Sequence, residues 1–186
     1  LLEASVNSKI KKFINGSSSS VYGLNENIPF LESDSLNKIA SPYAATKLAA
    51  EALCHTYHNI YNLPVINLRF FTVYGPRQRP DLAIRKFMVK ILNEEPISIY
   101  GDGTTSRDYT YVEDIVNGIC NAIDYHKSNF EIFNLGNSYP IKLIELVGKI
   151  EIALNKKAKL VFEPLQKGDV PTTYASIEKS KTKLKY

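Results

Sequence analysis

Ser41-Pro42-Tyr43-Ala44-Ala45-Thr46-Lys47 sets a phenol and an ammonium four residues apart, downstream of the serine run Ser17-Ser18-Ser19-Ser20. Positions i and i+4 share a helical face, so Lys47 stands one turn from Tyr43. Ser41 suits an N-cap and Pro42 the first helical position, so the helix is expected to begin at this pair. A free phenol, with a pKa of about 10, is a poor base at neutral pH. A cation beside it favours the phenolate. Tyr–Lys pairs at this spacing also occur on ordinary solvated helix flanks. The serines argue for chemistry, because they end an apolar segment where a strand delivers hydroxyls to a site edge.

Strand and helix patterns alternate on either side of this helix. Phe13-Ile14-Asn15-Gly16 reads as a short strand, and residues 23–40 as a polar loop. Pro42 to Tyr61 reads as the helix, with Leu48, Ala52, Tyr57 and Ile60 near one apolar stripe. Pro64 to Phe71 reads as a strand and Asp81 to Glu94 as a helix. Ile97-Ser98-Ile99-Tyr100 reads as a strand closed by the turn Gly101-Asp102-Gly103. Val112 to Ile123 reads as a helix, with Glu113 and Asp114 in the first turn, where the helix dipole favours them. Glu131 to Leu135 is an expected strand, Ile141 to Leu154 a helix and Lys159 to Phe162 a last short strand. The segment Lys179 to Lys185 reads as a helix flank or solvated tail. Such alternation predicts an α/β fold with a mostly parallel sheet. No Gly-x-Gly-x-x-Gly turn, which would admit a dinucleotide pyrophosphate, occurs in the 186 residues.

Apolar residues make up 44% and charged residues 23% of the chain, as in ordinary soluble globular proteins. The net charge of +4 is mild and its basic residues are scattered, so no nucleic-acid partner is expected. Cys54 and Cys120 are expected as buried free thiols on apolar helix faces. His55, His58 and His126 lack partners at metal-ligand spacing, so no metal is expected. With no signal peptide and no membrane-spanning run, a cytoplasmic location is expected. The chain opens at Leu1 rather than Met, in what reads as a helix interior, and is expected to be a fragment.

Several motifs in order carry a resemblance to the extended short-chain dehydrogenase/reductases, and within them to the NAD-dependent nucleotide-sugar epimerases and dehydratases. Ser-Ser-Ser-Ser-Val21-Tyr22-Gly23 looks like the catalytic-serine strand end. Ser41-Pro42-Tyr43-x-x-x-Lys47 looks like the catalytic helix. Leu68-Arg69-Phe70-Phe71-Thr72-Val73-Tyr74-Gly75-Pro76-Arg77 resembles the strand and loop that close over nicotinamide and sugar. Tyr100-Gly101-Asp102-Gly103, Arg107-Asp108-Tyr109 and Val112-x-Asp114 resemble the substrate-lobe signature, and Gly168-Asp169-Val170-Pro171 a late element near the nucleotide.

The resemblance implies an N-terminally truncated enzyme: the C-terminal half of a Rossmann-like parallel sheet with a small α/β substrate-binding lobe. Residues 1–75 would be the second half of the NAD-binding domain, with the catalytic helix. Residues 76–186 would be mainly the substrate lobe, with 112–137 returning to the Rossmann sheet. It implies Tyr43 as the base at the sugar 4-hydroxyl, Lys47 as its partner and ribose contact, and Ser18 as the hydroxyl at the 4-oxygen. Ser17 and Ser19 are alternatives within the serine run. Ser17, Tyr43, Lys47, Phe70 and Val73 would contact NAD. Ser18, Ser19, Thr72, Arg77, Arg79, Arg107 and Asp169 would contact a UDP-sugar, Arg107 through its diphosphate. Where the family often has an arginine three residues before that aspartate, this chain has Gln166.

Dehydratases of this family carry an acidic pair where Ser19 and Ser20 stand here, which favours epimerisation over elimination. The stretch from Thr72 to Ala83 is close to the form of UDP-glucuronate 4-epimerases, with Thr72 and Arg79 placed to receive the carboxylate. The implied activity is therefore UDP-sugar 4-epimerisation through a 4-keto sugar, with UDP-glucuronate and UDP-galacturonate favoured. The alternatives are a UDP-glucose or UDP-N-acetylglucosamine 4-epimerase, a 4,6-dehydratase, or a non-catalytic binding module. The fragment alone is expected to be inactive, and the intact protein a homodimer.

Overall fold

The structure is a computed structural model and describes residues 1–166 and 170–186. In chain order its elements are α1 (Leu2–Asn7), β1 (Phe13–Ser18), a 3-10 turn (Ser19–Tyr22), α2 (Pro42–Tyr61), β2 (Val65–Phe70), β3 (Thr72–Tyr74), α3 (Ala83–Leu92) and β4 (Pro96–Tyr100). There follow β5 (Ser106–Tyr111), α4 (Val112–Ile123), β6 (Phe130–Leu135), β7 (Pro140–Lys142), α5 (Leu143–Leu154), β8 (Lys159–Glu163), β9 (Thr172–Thr173) and α6 (Glu178–Leu184).

The expected α/β architecture is present. Strands β1, β2 and β6 form a parallel sheet with β2 in the middle. Helix α2 packs on one face, and α4 and α6 on the other. A second sheet runs β3–β5–β7 with β9 also on β5, and β4 pairs with β8. Apolar side chains gather in separate clusters. Ile66, Leu68, Ile115, Phe133 and Leu135 fill the space under α4. Phe87, Ile91, Ile97, Ile99, Leu146 and Ile150 join α3 and α5 to β4. Among the described residues, no helix is long and apolar enough to cross a membrane.

Helix α2 begins as its sequence dictates. The Ser41 hydroxyl accepts the Ala44 N–H at 3.1 Å, and Pro42 follows in the first turn. Its inward face differs from the expected stripe. Ala44, Glu51 and Cys54 are buried, whereas Ala52 and Ile60 are exposed. The reason is the surface beneath: α2 lies on a polar row of the sheet, so a carboxylate rather than a hydrocarbon faces inward.

That row is set by strand register. Ser17, Arg69 and Asn134 are neighbours across β1, β2 and β6. Alternation puts all three on the α2 face, while Leu68, Phe133 and Leu135 face α4. Glu51 descends onto the row. Arg69 Nε donates to Glu51 Oε1 at 3.0 Å and Nη2 to Oε2 at 2.8 Å. The Ser17 hydroxyl donates to the same Oε1 at 2.5 Å. Arg69 Nη1 donates to the Tyr22 hydroxyl at 3.0 Å, which donates to Asn134 Oδ1 at 2.6 Å.

Four further expectations are corrected. Cys120 is exposed, because α4 turns Ile115, Gly118 and Ala122 inward and leaves Cys120 on the solvent side; only Cys54 is a buried thiol. Pro140–Lys142 is not helical but pairs antiparallel with β5, so α5 starts at Leu143. Ser106–Tyr111, read only as a motif, is a strand whose Asp108 is fully buried. The lysine-rich end is not a solvated tail but helix α6, with Ser180 and Leu184 buried.

Removing one partner of a buried ion pair leaves the other stranded, a loss of about 3–5 kcal/mol. Glu51→Leu or Arg69→Met alone is expected to lower the free energy of urea unfolding by about that much. The double substitution should cost clearly less than the two summed; strict additivity would show that the pair is not coupled.

Two lysines dock α6 through Glu131, with Lys179 at 2.8 Å and Lys183 at 2.6 Å. Burial raises the Glu131 carboxyl, but the two ammonium groups outweigh it and hold its pKa below the ordinary value. A depressed carboxylate contributes stability above its unfolded value of about 4.3, lost as pH falls through the folded pKa. Glu131→Gln is expected to melt below wild type at neutral pH and to converge with it in acid. A gap that persists undiminished in acid would exclude the ionic contribution.

Candidate active site

Parallel strands deliver their C-terminal ends to one edge, and here Ser18, Phe70 and Leu135 are in register at that edge. Past it the chain tightens into the 3-10 turn, with the Ser18 hydroxyl accepting the Ser20 N–H at 3.2 Å. Gly23 closes the turn at φ +57, where a Cβ would lie 1.9 Å from the Lys38 carbonyl oxygen, so only glycine fits.

Two cavities open beyond the edge. One, of about 220 Å³, is lined by Ser18, Ser19, Ser20, Ser41, Thr72 and Arg107, with Val170 and Thr173 from the late segment. The other, of about 230 Å³, is lined by Thr72, Gln78, Leu82, Tyr100, Arg107, Tyr109 and Leu143. Thr72 and Arg107 line both and so stand where the cavities adjoin. Arg107 Nη1 donates to the Ser106 carbonyl at 2.9 Å and reaches that of Pro171 at 3.4 Å. Beside it, the buried Asp108 carboxylate accepts the N–H groups of Asn137 (2.8 Å), Ser138 (3.0 Å) and Ala175 (3.0 Å). Burial raises the Asp108 pKa, against the pull of these amides. Two chain segments, at residues 137–138 and at Ala175, are thereby pinned around the Arg107 strand.

Ser18, Ser19, Thr72 and Arg107 are thus brought together. Tyr43 lies in the first turn of α2 and is 56% exposed. Lys47 Nζ sits 5.8 Å from the centre of its ring and donates to the Gly16 carbonyl at 2.8 Å. Lys47 thus lies over the Tyr43 ring and is anchored to the serine strand, while neither residue is among those lining the two cavities. Ser17 has a different fate: it is 3% exposed and its hydroxyl is committed to Glu51. Phe70 and Val73 pack on the α4-side core. Neither Arg77 nor Arg79 is among the cavity-lining residues. Arg77 is exposed with φ +64, and Arg79 makes a two-pronged bond to Asp81, at 3.0 and 2.8 Å. Asp169 lies outside the described residues. Among those described, no cluster of residues could hold a metal ion.

Sequence reasoning missed Glu51, Arg69, Tyr22 and Asn134. The signal was there: Tyr43, Lys47 and Glu51 recur at i, i+4 and i+8, on one helix face. Arg69 also sets a charge in a strand whose other side chains are mostly apolar. Burial pushes the Tyr22 hydroxyl up to about 12, against the opposing effect of Arg69, so it stays a neutral hydrogen-bonding phenol. Burial and then the Glu51 charge push the Cys54 thiol up to about 11, leaving it inert at neutral pH.

Residues 1–136 match the profile of the NAD dependent epimerase/dehydratase family. An uncharacterised protein of Methanocaldococcus jannaschii is 50% identical over 177 residues, covering 95% of this chain and 54% of that protein. UDP-glucuronate 4-epimerase 1 of Arabidopsis thaliana is 44% identical over 186 residues, covering 91% of this chain and 43% of that protein. Among solved structures, UDP-glucuronic acid 4-epimerase from Bacillus cereus in complex with UDP-glucuronic acid and NAD superposes with a TM-score of 0.93. That pair is 39% identical, covering 100% of this chain and 59% of the other. The chain spans about half the length of the curated relatives it matches. A profile that runs from the first helix through the last strand of the parallel sheet decides the matter: this chain belongs to the NAD-dependent epimerase/dehydratase family.

Proposed function

We propose that this chain is the catalytic and sugar-binding portion of an NAD-dependent UDP-sugar 4-epimerase, with the UDP-glucuronate/UDP-galacturonate pair its favoured substrates. The observation that carries the reading is the cavity where Ser18, Ser19, Thr72 and Arg107 converge beside Ser41, the cap of the Tyr43–Lys47 helix. A further support is the Ser20 hydroxyl at that cavity, which is buried with no partner among the described residues. A buried hydroxyl left unpaired favours a polar ligand that would pair it.

Tyr43 takes the proton from the sugar 4-hydroxyl, and Ser18 orients that oxygen or relays its proton. Lys47, one helical turn from Tyr43, offers its ammonium to a ribose. Bound NAD would supply reversible hydride acceptance at C4. The donors that would meet its nicotinamide end are the Tyr43 hydroxyl and Lys47 Nζ, from residues one turn apart on α2. Arg107 meets the diphosphate, its planar guanidinium suiting two phosphate oxygens. It stands where the two cavities adjoin, so sugar and nucleoside fall on either side of it. Inversion follows when the 4-keto sugar turns over and is reduced on its other face.

Thr72 and the serine hydroxyls are the groups left for a uronate carboxylate, because Arg79 is held by Asp81. That ion pair also favours a second reading, a neutral UDP-hexose or UDP-N-acetylhexosamine substrate. Hydroxyls at Ser19 and Ser20 provide no acid for 4,6-elimination. The outer face of α2, with Leu53 54% and Ile60 64% exposed, suits the homodimer proposed for the intact protein.

The intact protein with NAD is expected to interconvert UDP-glucuronate and UDP-galacturonate faster than UDP-glucose or UDP-N-acetylglucosamine. The 186-residue chain serves as a control expected to be inactive. Absence of C4 inversion in all four sugars would defeat the reading, and a 4-keto-6-deoxy product would replace it with a dehydratase. Tyr43→Phe is expected to lower kcat by about 10³-fold or more, with the KM for the sugar little changed. Turnover near the wild-type rate would remove Tyr43 from its role.

A further inference from the structure

We propose that Glu51 is a positioning residue, acting through Ser17 to fix the Tyr43–Lys47 helix at the right height against the strand end that carries Ser18. The proposal rests on the epimerase reading for its kinetic consequence, but its structural content stands apart from it.

The geometry works as a ruler. Helix α2 presents Tyr43, Lys47 and Glu51 on one face, spaced by one turn each, about 12 Å in all. The last two grip consecutive residues of β1. Lys47 Nζ donates to the Gly16 carbonyl at 2.8 Å, and Glu51 Oε1 accepts the Ser17 hydroxyl at 2.5 Å. The next residue along the strand is Ser18, at the cavity. The two grips therefore set how far the helix can slide past the serine strand.

A ruler needs a fixed end, and Arg69 supplies it. Both carboxylate oxygens of Glu51 are held by its guanidinium, at 3.0 and 2.8 Å. Arg69 is fixed in turn, with Nη1 on the Tyr22 hydroxyl at 3.0 Å and that hydroxyl on Asn134 at 2.6 Å. The carboxylate is thus located by β2 and, beyond it, β6, and Ser17 is referred to that location by a charge-assisted bond.

Ser17 separates positioning from stability. The Glu51 carboxylate is already met by a two-pronged partner, so its burial does not require the serine hydroxyl. What Ser17 adds is a tie between helix and strand. Removing it leaves the ion pair intact and frees α2 to shift by a fraction of an ångström. Misplacement on that scale lowers kcat steeply while ground-state binding persists.

The test uses the intact protein with Ser17→Ala, and Ser17→Thr as the variant that keeps a hydroxyl. Ser17→Ala is expected to melt close to wild type and to keep its NAD affinity and its KM for the UDP-sugar, while kcat falls by about 10- to 100-fold. Ser17→Thr should recover most of that loss. A kcat for Ser17→Ala within about twofold of wild type would overturn the proposal. So would a loss that merely tracks a fall in folded fraction or in NAD affinity. A second readout needs no turnover. In hydrogen exchange, amides 44–48 of Ser17→Ala should open about tenfold faster, with those of α5 and β6 unchanged. If wild type epimerises none of the UDP-sugars, the functional reading falls and exchange alone decides; unaltered exchange at 44–48 then refutes the positioning role.

Discussion

A guanidinium and a carboxylate meet inside this protein, Arg69 2% and Glu51 5% exposed. An ion pair so placed is poor evidence of net stabilisation, since two desolvated charges must first be brought out of water. Apolar residues of similar volume often serve stability as well. What apolar residues cannot do is fix direction. A two-pronged Arg–carboxylate bond tolerates little rotation or sliding. In this fold its two ends belong to α2 and β2, and its extensions reach β1 through Ser17 and β6 through Tyr22 and Asn134. One polar contact thereby orders a helix and three strands, and those elements carry the candidate chemistry.

The same contact accounts for much of what the sequence concealed. Alternation in Val65-Ile66-Asn67-Leu68-Arg69-Phe70 reads as a strand with one polar face, which suggests solvent on that side. Yet Asn67 is 0% and Arg69 2% exposed, because α2 covers the face and brings Glu51 to it. A polar strand face buried under a polar helix face cannot be found from hydrophobic periodicity, which registers neither. Of the apolar stripe expected on α2, Leu48 and Tyr57 pack against buried clusters while Ala52 and Ile60 stay exposed. The error at β5 has the same origin, since Asp108 is buried on backbone amides from segments far away in the chain. Local signals fared better: the Ser41 cap and Pro42 fixed the start of α2, and acidic residues at 113 and 114 the start of α4. Of the candidate site, the Tyr43–Lys47 pair and the Thr72–Arg107 contact with the serine cavity were legible as motifs. Arg79 meets Asp81, two residues on, in an exposed ion pair.

The site lies where two kinds of surface meet. On one side is the ordered edge of the parallel sheet, which presents Ser18 and the helix cap. On the other is the second sheet, which presents Thr72 from β3 and Arg107 from β5, strands paired in parallel. A ligand spanning the two cavities would touch both sheets, with Arg107 at its middle. A bridging guanidinium suits a molecule polar at its centre and different at each end, as a nucleotide sugar is. Asp108 and Gly136 keep that bridge in place. A Cβ at Gly136 would come within 2.8 Å of both Asp108 Oδ2 and Ala175 Cβ, so the carboxylate and its amide donors stay closely packed only around glycine.

Four identical residues, Ser17 to Ser20, divide between the helix contact and the cavity, and the physical reason is the change of period at the strand end. Ser17 is still in the strand, where side chains alternate, and falls on the α2 face beside Arg69. Ser18, the last strand residue, falls on the opposite face and reaches the cavity, its oxygen accepting the Ser20 N–H. There the backbone turns into a 3-10 helix, in which side chains advance by a third of a turn rather than a half. Ser19 and Ser20 are thus swung round to the cavity that Ser18 already faces. A strand continued by two residues would have sent every second hydroxyl into the core. A single change of backbone period makes three adjacent serines available to one ligand and leaves the fourth to hold the helix.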